Sequence, residues 1–251
     1  MGGALARAVS RVAYVKVFLY DKDTERAEAL GREIDGSAVQ LSEIAKCDYI
    51  FLGVKPNIIA SVAKELSPML DERTVVVTMA AGVSTEQLEG ALGKAAPIIR
   101  IMPNTPAAYG KGMILYTATE AVAPEALERF ADIMKYSGRL DLIPERLIDA
   151  GSAVSGCGPA FVYMFIEALA DGGVAAGLPR DKAMQYAAET VIGAATVVIE
   201  SGKHPGELKD AVCSPGGSTI EGVLTLESGG MRGIVSDAVI AAYEKTKKLG
   251  K

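Results

Sequence analysis

The chain up to residue 144 alternates between two hydrophobic patterns. Short runs that are apolar at nearly every position, such as 49–54 and 74–78, predict strands buried on both faces. Segments with apolar residues at helical spacing lie between these runs and predict amphipathic helices. Strands are predicted at 15–20, 49–54, 74–78, 97–102, 113–118 and 140–143, and helices at 4–12, 24–34, 58–70, 84–92 and 124–135. This alternation predicts right-handed crossovers and a largely parallel sheet.

The pattern changes after Pro144, beyond which no strand is predicted. Residues 150–166 carry no charge and include glycines and a proline, so we expect a loop that leads into a buried helix. Helices are predicted at 161–176, 180–200, 207–212, 218–227 and 231–248. The stretch 186–199 is apolar almost all round, so its helix needs burial on more than one side. In a segment of about a hundred residues, a dimer interface is the simplest source of that burial.

Composition excludes several classes of function. Apolar residues make up 49% of the chain and charged residues 23%, which is typical of a globular protein. The net charge of −5 and the lack of a Lys/Arg run argue against nucleic acid or an anionic membrane as the main partner. Three widely spaced cysteines and a single histidine favour neither a disulfide framework nor a metal site. The run 150–166 is short for a membrane span, and the chain starts without the apolar core of a secretory signal, so we predict a cytoplasmic protein.

Three predicted strands end in small or polar residues, at the sheet edge where parallel α/β folds bind ligands. Lys55 offers a cation, or a stem that lies along a sugar. Ala80 and Ala81 leave room for a flat ring to approach the backbone. Asn104 can hydrogen-bond an amide or a hydroxyl. Each stretch alone is equally well a tight turn, but three of them at one edge predict a ligand site.

The start of the chain resembles the end of a nucleotide-binding loop. A dinucleotide-binding fold opens with a strand and then G-x-G-x-x-G, whereas this sequence opens with Met1, Gly2 and Gly3. Asp21 ends the predicted strand 15–20 and falls where a ribose-binding acid belongs, about 20 residues after the fingerprint. By this pattern the first strand and the first glycines are missing. If the chain truly begins here, we expect weak or absent cofactor binding.

The small-residue stretch 213–219 leads into a predicted helix. Pro215 fixes φ, and the two glycines after it tolerate backbone angles that other residues avoid. Ser218 or Thr219 is a suitable N-cap, and Glu221 follows Ser218 at capping-box spacing. A glycine turn before a helix presents free N–H groups and the positive end of the helix dipole, which suits one carboxylate or one phosphate. The alternative is a capped helix without a ligand.

Taken together, these stretches resemble the pyrroline-5-carboxylate reductase family over essentially the whole chain. The family's diagnostic pattern matches Pro205, Leu208, Val212, Cys213, Ser214, Gly217, Thr219, Gly222, Val223, Leu226 and Glu227. The stretches 54–56, 80–83, 100–106 and 155–160 are similar to its other hallmarks and follow in the same order. Cys157 stands where the family usually has Ser.

The resemblance implies an α/β fold class: a Rossmann-type, mostly parallel sheet that lacks its first strand, followed by an all-α dimerisation domain. The predicted domains are 1–144, for the dinucleotide, and 145–251, for substrate binding and dimerisation. The implied activity is reduction of 1-pyrroline-5-carboxylate to L-proline with NADPH or NADH, the last step of proline biosynthesis. The implied partners are a small-molecule substrate and further copies of the chain, as a dimer and possibly a decamer.

The resemblance also implies residue roles. The predicted cofactor-binding residues are Gly53, Val54, Lys55, Pro56, Met79, Ala80 and Ala81, together with Gly2, Gly3, Asp21 and Asn104. The predicted substrate-binding residues are Ser214, Gly216, Gly217, Ser218 and Thr219. Thr219 is the predicted catalytic residue, because its hydroxyl would orient the ring nitrogen. A protonated cyclic imine is already an electrophile, so the enzyme needs orientation and an anion site but no activated nucleophile.

Two questions stay open in the sequence. Asp21 favours a free ribose hydroxyl and hence NADH, whereas Lys22 and Arg26 suit the 2′-phosphate of NADPH. A hydroxy-acid dehydrogenase is disfavoured, because 161–176 lacks the lysine that such an enzyme would need. The alternative from a different class of function is a non-catalytic truncated paralogue, which keeps only the oligomeric helical scaffold.

Overall fold

The computed structural model describes residues 1–93 and 95–249. Its contacts divide the chain into two compact units. The first consists of Met1–Cys157 and the C-terminal segment that begins at Ala241, and the second is Gly158–Ile240. The domain boundary after residue 144 stays a prediction.

The first unit alternates strands and helices, as the hydrophobic pattern predicts. Its helices are α1 (Gly2–Val9), α2 (Thr24–Ile34), α3 (Leu41–Ile44), α4 (Pro56–Leu66), α5 (Thr85–Leu92), α6 (Pro124–Ile133) and α7 (Glu145–Ser155). Its strands are β1 (Phe18–Leu19), β2 (Ser37–Ala38), β3 (Tyr49–Leu52), β4 (Val75–Thr78), β5 (Ile98–Met102), β6 (Gly112–Ala118) and β7 (Gly138–Leu142). Two 3-10 turns, Ser67–Met69 and Thr105–Tyr109, complete it. The sequence patterns do not predict β2, α3 or α7.

The strands form a five-stranded sheet in the order β3-β4-β5-β6-β7 and a separate pair, β1-β2. All pairings are parallel except β5 with β6, so the sheet is largely parallel as predicted. Only a 3-10 turn connects β5 to β6, which is too short for the crossover that a parallel pair requires. In the classic order of a dinucleotide-binding sheet, the first strand lies between the strands that correspond to β1 and β3. Residues 1–93 and 95–249 place no strand there.

Two apolar clusters cover the two faces of the five-stranded sheet. Alternation along the strands sends Ile50, Val76 and Ile98 into one cluster with α4 and α5. Val75, Val77, Ile99 and Ile101 enter the other cluster, with side chains of α1 and α6. Every residue of β4 and β5 is buried, as expected for parallel strands with both faces covered.

The predicted loop over the first part of 150–166 is wrong, because α7 continues to Ser155 and α8 begins at Gly158. The small residues here serve close packing instead of a turn. A β-carbon on Gly151 would lie 2.3 Å from Cδ1 of Leu115 on β6, so a larger residue at this position would have to displace that side chain. Gly156 itself has right-handed helical angles. The strand predicted at 15–20 is also shorter than expected, since only Phe18–Leu19 is paired.

The second unit is helical. It contains α8 (Gly158–Ala175), α9 (Arg180–Ser201), α10 (Pro205–Ala211) and α11 (Ser218–Ser228), and α12 (Met231–Thr246) begins in it. The pair α8 and α9 packs through small buried residues, namely Ala170, Ala183 and Ala187. Large apolar side chains on these helices are exposed in the single chain, among them Tyr163, Met164, Ile192, Ile199, Ile234 and Ile240. By length and composition alone, the stretch Glu145–Ala175 is also apolar enough to cross a membrane.

Candidate functional site

The carboxyl ends of β3 and β4 place two predicted cofactor segments side by side. The strands are parallel, and Leu52 pairs with Thr78 in register. The segment Gly53 to Pro56 therefore starts beside the segment Met79 to Ala81. Ala80 is almost fully buried, and its N–H donates to Oγ1 of Thr78 at 3.3 Å. The small residues Gly53, Ala80 and Ala81 therefore lie at one edge of the sheet.

The first turn of α1 lies against the end of β3. A β-carbon on Gly53 would lie 3.3 Å from Cα of Gly2, so the two backbones approach closely. The first intrahelical bond runs from the N–H of Ala4 to the carbonyl of Met1, so the N–H groups of Gly2 and Gly3 precede it. No described side chain caps this helix through its N-cap, Met1. Unpaired N–H groups at a helix start, beside glycines, fit the pyrophosphate of a dinucleotide.

The remaining predicted cofactor residues of this region have simpler surroundings. Asp21 follows β1, and its Oδ1 accepts the N–H of Asp23 at 3.1 Å, which closes a short turn. Lys55 is exposed and is the N-cap residue of α4, and Pro56 occupies the first helical position. Proline is well placed there, since its missing N–H would have no partner within the helix. Val54 is half-buried and packs against the cluster on the α4 and α5 face.

Asn104 has a structural role that its sequence position does not reveal. Its Nδ2 donates to the carbonyl of Ser155 at 2.8 Å, and its Oδ1 accepts the N–H of Met113 at 3.0 Å. The residue is buried. The side chain therefore joins the end of α7 to the start of β6. Its predicted contact with the cofactor stays a prediction.

The sequence patterns do not predict the buried ion pairs that Arg100 forms with two carboxylates. Arg100 lies in the middle of β5 with only 3% of its side chain exposed. Its Nη1 donates to Oε1 of Glu145 at 3.1 Å, and its Nη2 donates to Oδ1 of Asp149 at 2.5 Å. The signal was present, because a lone arginine in an apolar strand needs buried partners. Glu145 and Asp149 share one face of a helix at four-residue spacing, but only if α7 is recognised as a helix.

Glu145 has a second set of partners. Its Oε1 accepts the N–H of Thr85 at 2.8 Å, and its Oε2 accepts the Thr85 hydroxyl at 2.6 Å. Partial burial pushes the pKa of the Glu145 carboxyl up, but the hydrogen bonds from Thr85 and Arg100 outweigh it and leave the pKa below its ordinary value. The carboxylate therefore stays charged at neutral pH.

The stretch 213–219 lies in the second unit and is a turn followed by α11. The N–H of Gly217 donates to the carbonyl of Ser214 at 3.0 Å, and Gly216 has φ of +66°, so Pro215 and Gly216 form the centre of a type II-like turn. A β-carbon on Gly217 would lie 2.5 Å from Oγ of Ser214. Glycine therefore suits the positive φ at position 216, and a larger residue at position 217 would have to displace the Ser214 hydroxyl.

The predicted cap of this helix is wrong. Gly217 is the N-cap and Ser218 is already the first helical residue, so neither Ser218 nor Thr219 caps α11. The capping box with Glu221 does not form, and no described side chain bonds to the first turn through the N-cap. The N–H groups of this turn are thus available to an anion. Ser218 and Thr219 are exposed beside them.

The single histidine caps the preceding helix. Nδ1 of His204 accepts the N–H of Gly206 at 3.1 Å at the start of α10. His204 is therefore the N-cap residue of α10, immediately before Pro205. The residues that the structure describes also contain no group of three or more His, Cys, Asp or Glu side chains that could hold a metal ion.

Comparison with known proteins connects both regions to one family of reductases. Residues 145–249 match the family described as pyrroline-5-carboxylate reductase dimerisation, and residues 1–82 match the family described as NADP oxidoreductase, coenzyme F420-dependent. The pyrroline-5-carboxylate reductase of Escherichia coli is 42% identical over 100% of this chain and 93% of its own length. The soybean (Glycine max) enzyme of the same name is 43% identical over 82% of this chain and 75% of its own.

Solved structures agree with these relatives. The Plasmodium falciparum pyrroline carboxylate reductase with NADP bound matches with a TM-score of 0.88 at 32% identity, and covers 100% of this chain and 95% of its own. The Streptococcus pyogenes 1-pyrroline-5-carboxylate reductase matches with a TM-score of 0.89 at 30% identity, and covers 99% of this chain and 95% of its own. Prephenate dehydrogenase from Aquifex aeolicus, at 18% identity and a TM-score of 0.53, shares the fold only.

Proposed function

This chain belongs to the pyrroline-5-carboxylate reductase family, and we propose that it reduces 1-pyrroline-5-carboxylate to L-proline with NADPH, the last step of proline biosynthesis. The observation that carries the proposal is the 42% identity to the E. coli enzyme across the entire chain. That alignment includes the strand ends of the first unit and the turn at 213–219. The fold class and the activity predicted from the sequence agree with this alignment.

A bound nicotinamide would supply a hydride for the carbon of the C=N bond, whose nitrogen already carries a proton. The product is the secondary amine, so neither a covalent intermediate nor an activated nucleophile is needed. Glycines at the start of α1 would hold the pyrophosphate, and the segments that begin at Gly53 and Met79 would line the rest of the dinucleotide. NADPH is favoured because the P. falciparum relative was solved with NADP and residues 1–82 match an NADP oxidoreductase family.

We assign the substrate to the first turn of α11. Its uncapped N–H groups and the exposed hydroxyl of Ser218 suit the substrate carboxylate, with Ser214, Gly216 and Gly217 shaping the turn. Thr219 would then orient the ring nitrogen from the same turn. The role of this chain is to hold the imine at the right distance, which can supply several orders of magnitude in rate.

The family that matches residues 145–249 is a dimerisation family, and the chain assembles with copies of itself. The exposed apolar side chains on α8, α9, α11 and α12 support this, since they are numerous in the single chain. We propose a cytoplasmic homodimer, with decamers as the larger assembly. The run Glu145–Ala175 would then owe its apolar composition to the interface and not to a membrane.

The direct test measures proline formation from 1-pyrroline-5-carboxylate with NADPH or NADH. A fluorescence titration of each nucleotide and a molar mass by light scattering accompany it. We expect turnover, tighter binding of NADPH and a mass of at least two chains. Intact oligomers that bind neither nucleotide would instead identify a non-catalytic scaffold, and tighter NADH binding would reverse the cofactor assignment.

A further inference from the structure

The β4–α5 connection, residues 79–84, carries three of the proposed cofactor residues and is fixed at both ends by side chains. At its start, Oγ1 of Thr78 accepts the N–H of Ala80. At its end, Glu145 of α7 accepts both the N–H and the hydroxyl of Thr85, the first residue of α5. A side chain from a helix 60 residues further along the chain therefore determines where this connection ends.

The N-terminus of α5 is closed by the protein's own groups. Ser84 and Gln87 form a reciprocal capping box, in which the Ser84 N–H donates to Gln87 at 2.8 Å and the Gln87 N–H donates to Ser84 at 3.1 Å. The capping box does not use the N–H of Thr85, and this group donates to Glu145 instead. The carboxylate of Glu145 thus acts as a resident anion at the start of α5, whereas α1 presents an uncapped N-terminus.

The two carboxylates that bind Arg100 differ in whether they also bond to α5. Both lie on α7 and both accept from the buried guanidinium, through Glu145 Oε1 and Asp149 Oδ1. Of the hydrogen bonds described for the two, only those of Glu145 continue to α5. Asp149 is therefore a built-in control: it shares the ionic environment of Glu145 without reaching the β4–α5 connection.

We propose that Glu145 is a positioning residue for the cofactor: its carboxylate, held by Arg100, anchors Thr85 and so keeps residues 79–84 in the conformation that the dinucleotide requires. This inference rests on the proposed function, because it takes that connection as part of the NADPH site. Glu145 does not touch the cofactor and acts through Thr85.

The experiment compares Glu145→Gln with Asp149→Asn. We expect the NADPH dissociation constant to rise about tenfold in Glu145→Gln, equivalent to about 1.4 kcal/mol, and by less than about threefold in Asp149→Asn. Both variants are expected to lower the melting temperature, because both weaken a buried charge network. At saturating NADPH, kcat and the KM for the imine should change little in Glu145→Gln. Equal effects of the two variants on NADPH binding would overturn the proposal, as would an unchanged dissociation constant in Glu145→Gln.

Thr85 provides a milder pair of variants should Glu145→Gln fold poorly. Thr85→Val removes one of the two hydrogen bonds to Glu145 and should weaken NADPH binding, whereas Thr85→Ser keeps the hydroxyl and should restore it. Failure of the serine variant to restore binding, alongside weakened binding in Thr85→Val, would assign the effect to packing and overturn the proposal.

Amide hydrogen exchange in the cofactor-free protein separates this inference from the proposed function. We expect faster exchange over residues 79–88 in Glu145→Gln and unchanged exchange there in Asp149→Asn. If the wild-type protein binds no NADPH, the proposed function and the cofactor part of this inference both fail, and the exchange rates still test the anchor. Unchanged exchange in Glu145→Gln would overturn the anchor as well.

Discussion

The backbones of Gly2 and Gly53 approach each other closely. A β-carbon on Gly53 would lie 3.3 Å from Cα of Gly2, and the reverse contact, from a β-carbon on Gly2 to Cα of Gly53, would be 3.6 Å. The start of α1 is thereby set beside the end of β3. The close approach gives a physical reason for glycine at position 53 in the proposed pyrophosphate site, independent of any sequence motif.

This contact predicts an asymmetry between two alanine variants. Gly53→Ala must push the start of α1 away by a few tenths of an ångström, whereas Gly2→Ala meets an ordinary contact distance. We expect the NADPH dissociation constant to rise about tenfold in Gly53→Ala, because small displacements of binding groups are costly. Fluorescence titration measures this. Gly90→Ala on α5, where nothing lies within 4 Å of the added carbon, is the control and should leave binding unchanged.

Thr219 offers the test of the proposed catalytic residue. Thr219→Val and Thr219→Ala remove the hydroxyl, and both should lower kcat/KM for the imine about a hundredfold, the usual cost of losing one oriented hydrogen bond at a reacting centre. The NADPH dissociation constant should stay unchanged, and Thr219→Ser should retain most of the activity. Normal kcat/KM in both the valine and the alanine variant would remove Thr219 from the mechanism.

A variant of Asn104 can distinguish a structural role of this side chain from a role in cofactor binding. Asn104→Leu leaves the carbonyl of Ser155 and the N–H of Met113 without their partner, and we expect the free energy of unfolding to fall by about 2 kcal/mol. Urea denaturation measures it, with Asn57→Leu at an exposed position of α4 as the control. Unchanged stability together with a raised NADPH dissociation constant would instead support the predicted cofactor contact.

Hydrophobic periodicity predicted the elements whose side chains face a core. It placed α2 at the observed residues and β4 and β5 to within one residue, because their apolar positions carry the signal. It missed α7, since Gly151 and Gly156 read as loop residues, whereas Gly151 lies inside the helix against Leu115 of β6 and Gly156 follows the last residue of α7. The apolar strand β5 indicates that Arg100 is a buried charge, but its partner Glu145 lies on α7, so the network was missed together with that helix.

The two helix caps show where local sequence is insufficient. Ser84 and Gln87 form a capping box at α5, whereas Ser218 and Glu221 have the same spacing and form none. The N-cap residues Ser84 and Gly217 have the same backbone angles, φ −80° and ψ 165°. The turn before α11 places those angles on glycine, one residue earlier than the hydroxyl pattern suggests. The capping position depends on that turn, and the uncapped result leaves α11 open to a substrate carboxylate.

The Glu145 carboxylate predicts a dependence of stability on pH. Its pKa in the folded protein lies below the ordinary value, so the carboxylate stabilises the fold above the unfolded pKa, and this contribution is lost as the pH falls through the folded pKa. Arg100 donates to this carboxylate, and Asp149 is the other carboxylate that faces Arg100. Thermal melts of the wild type and Glu145→Gln should differ most near neutral pH and converge at pH values below the ordinary range of glutamate. A difference that stays constant down to pH 3 would show that Glu145 stabilises the fold without its charge.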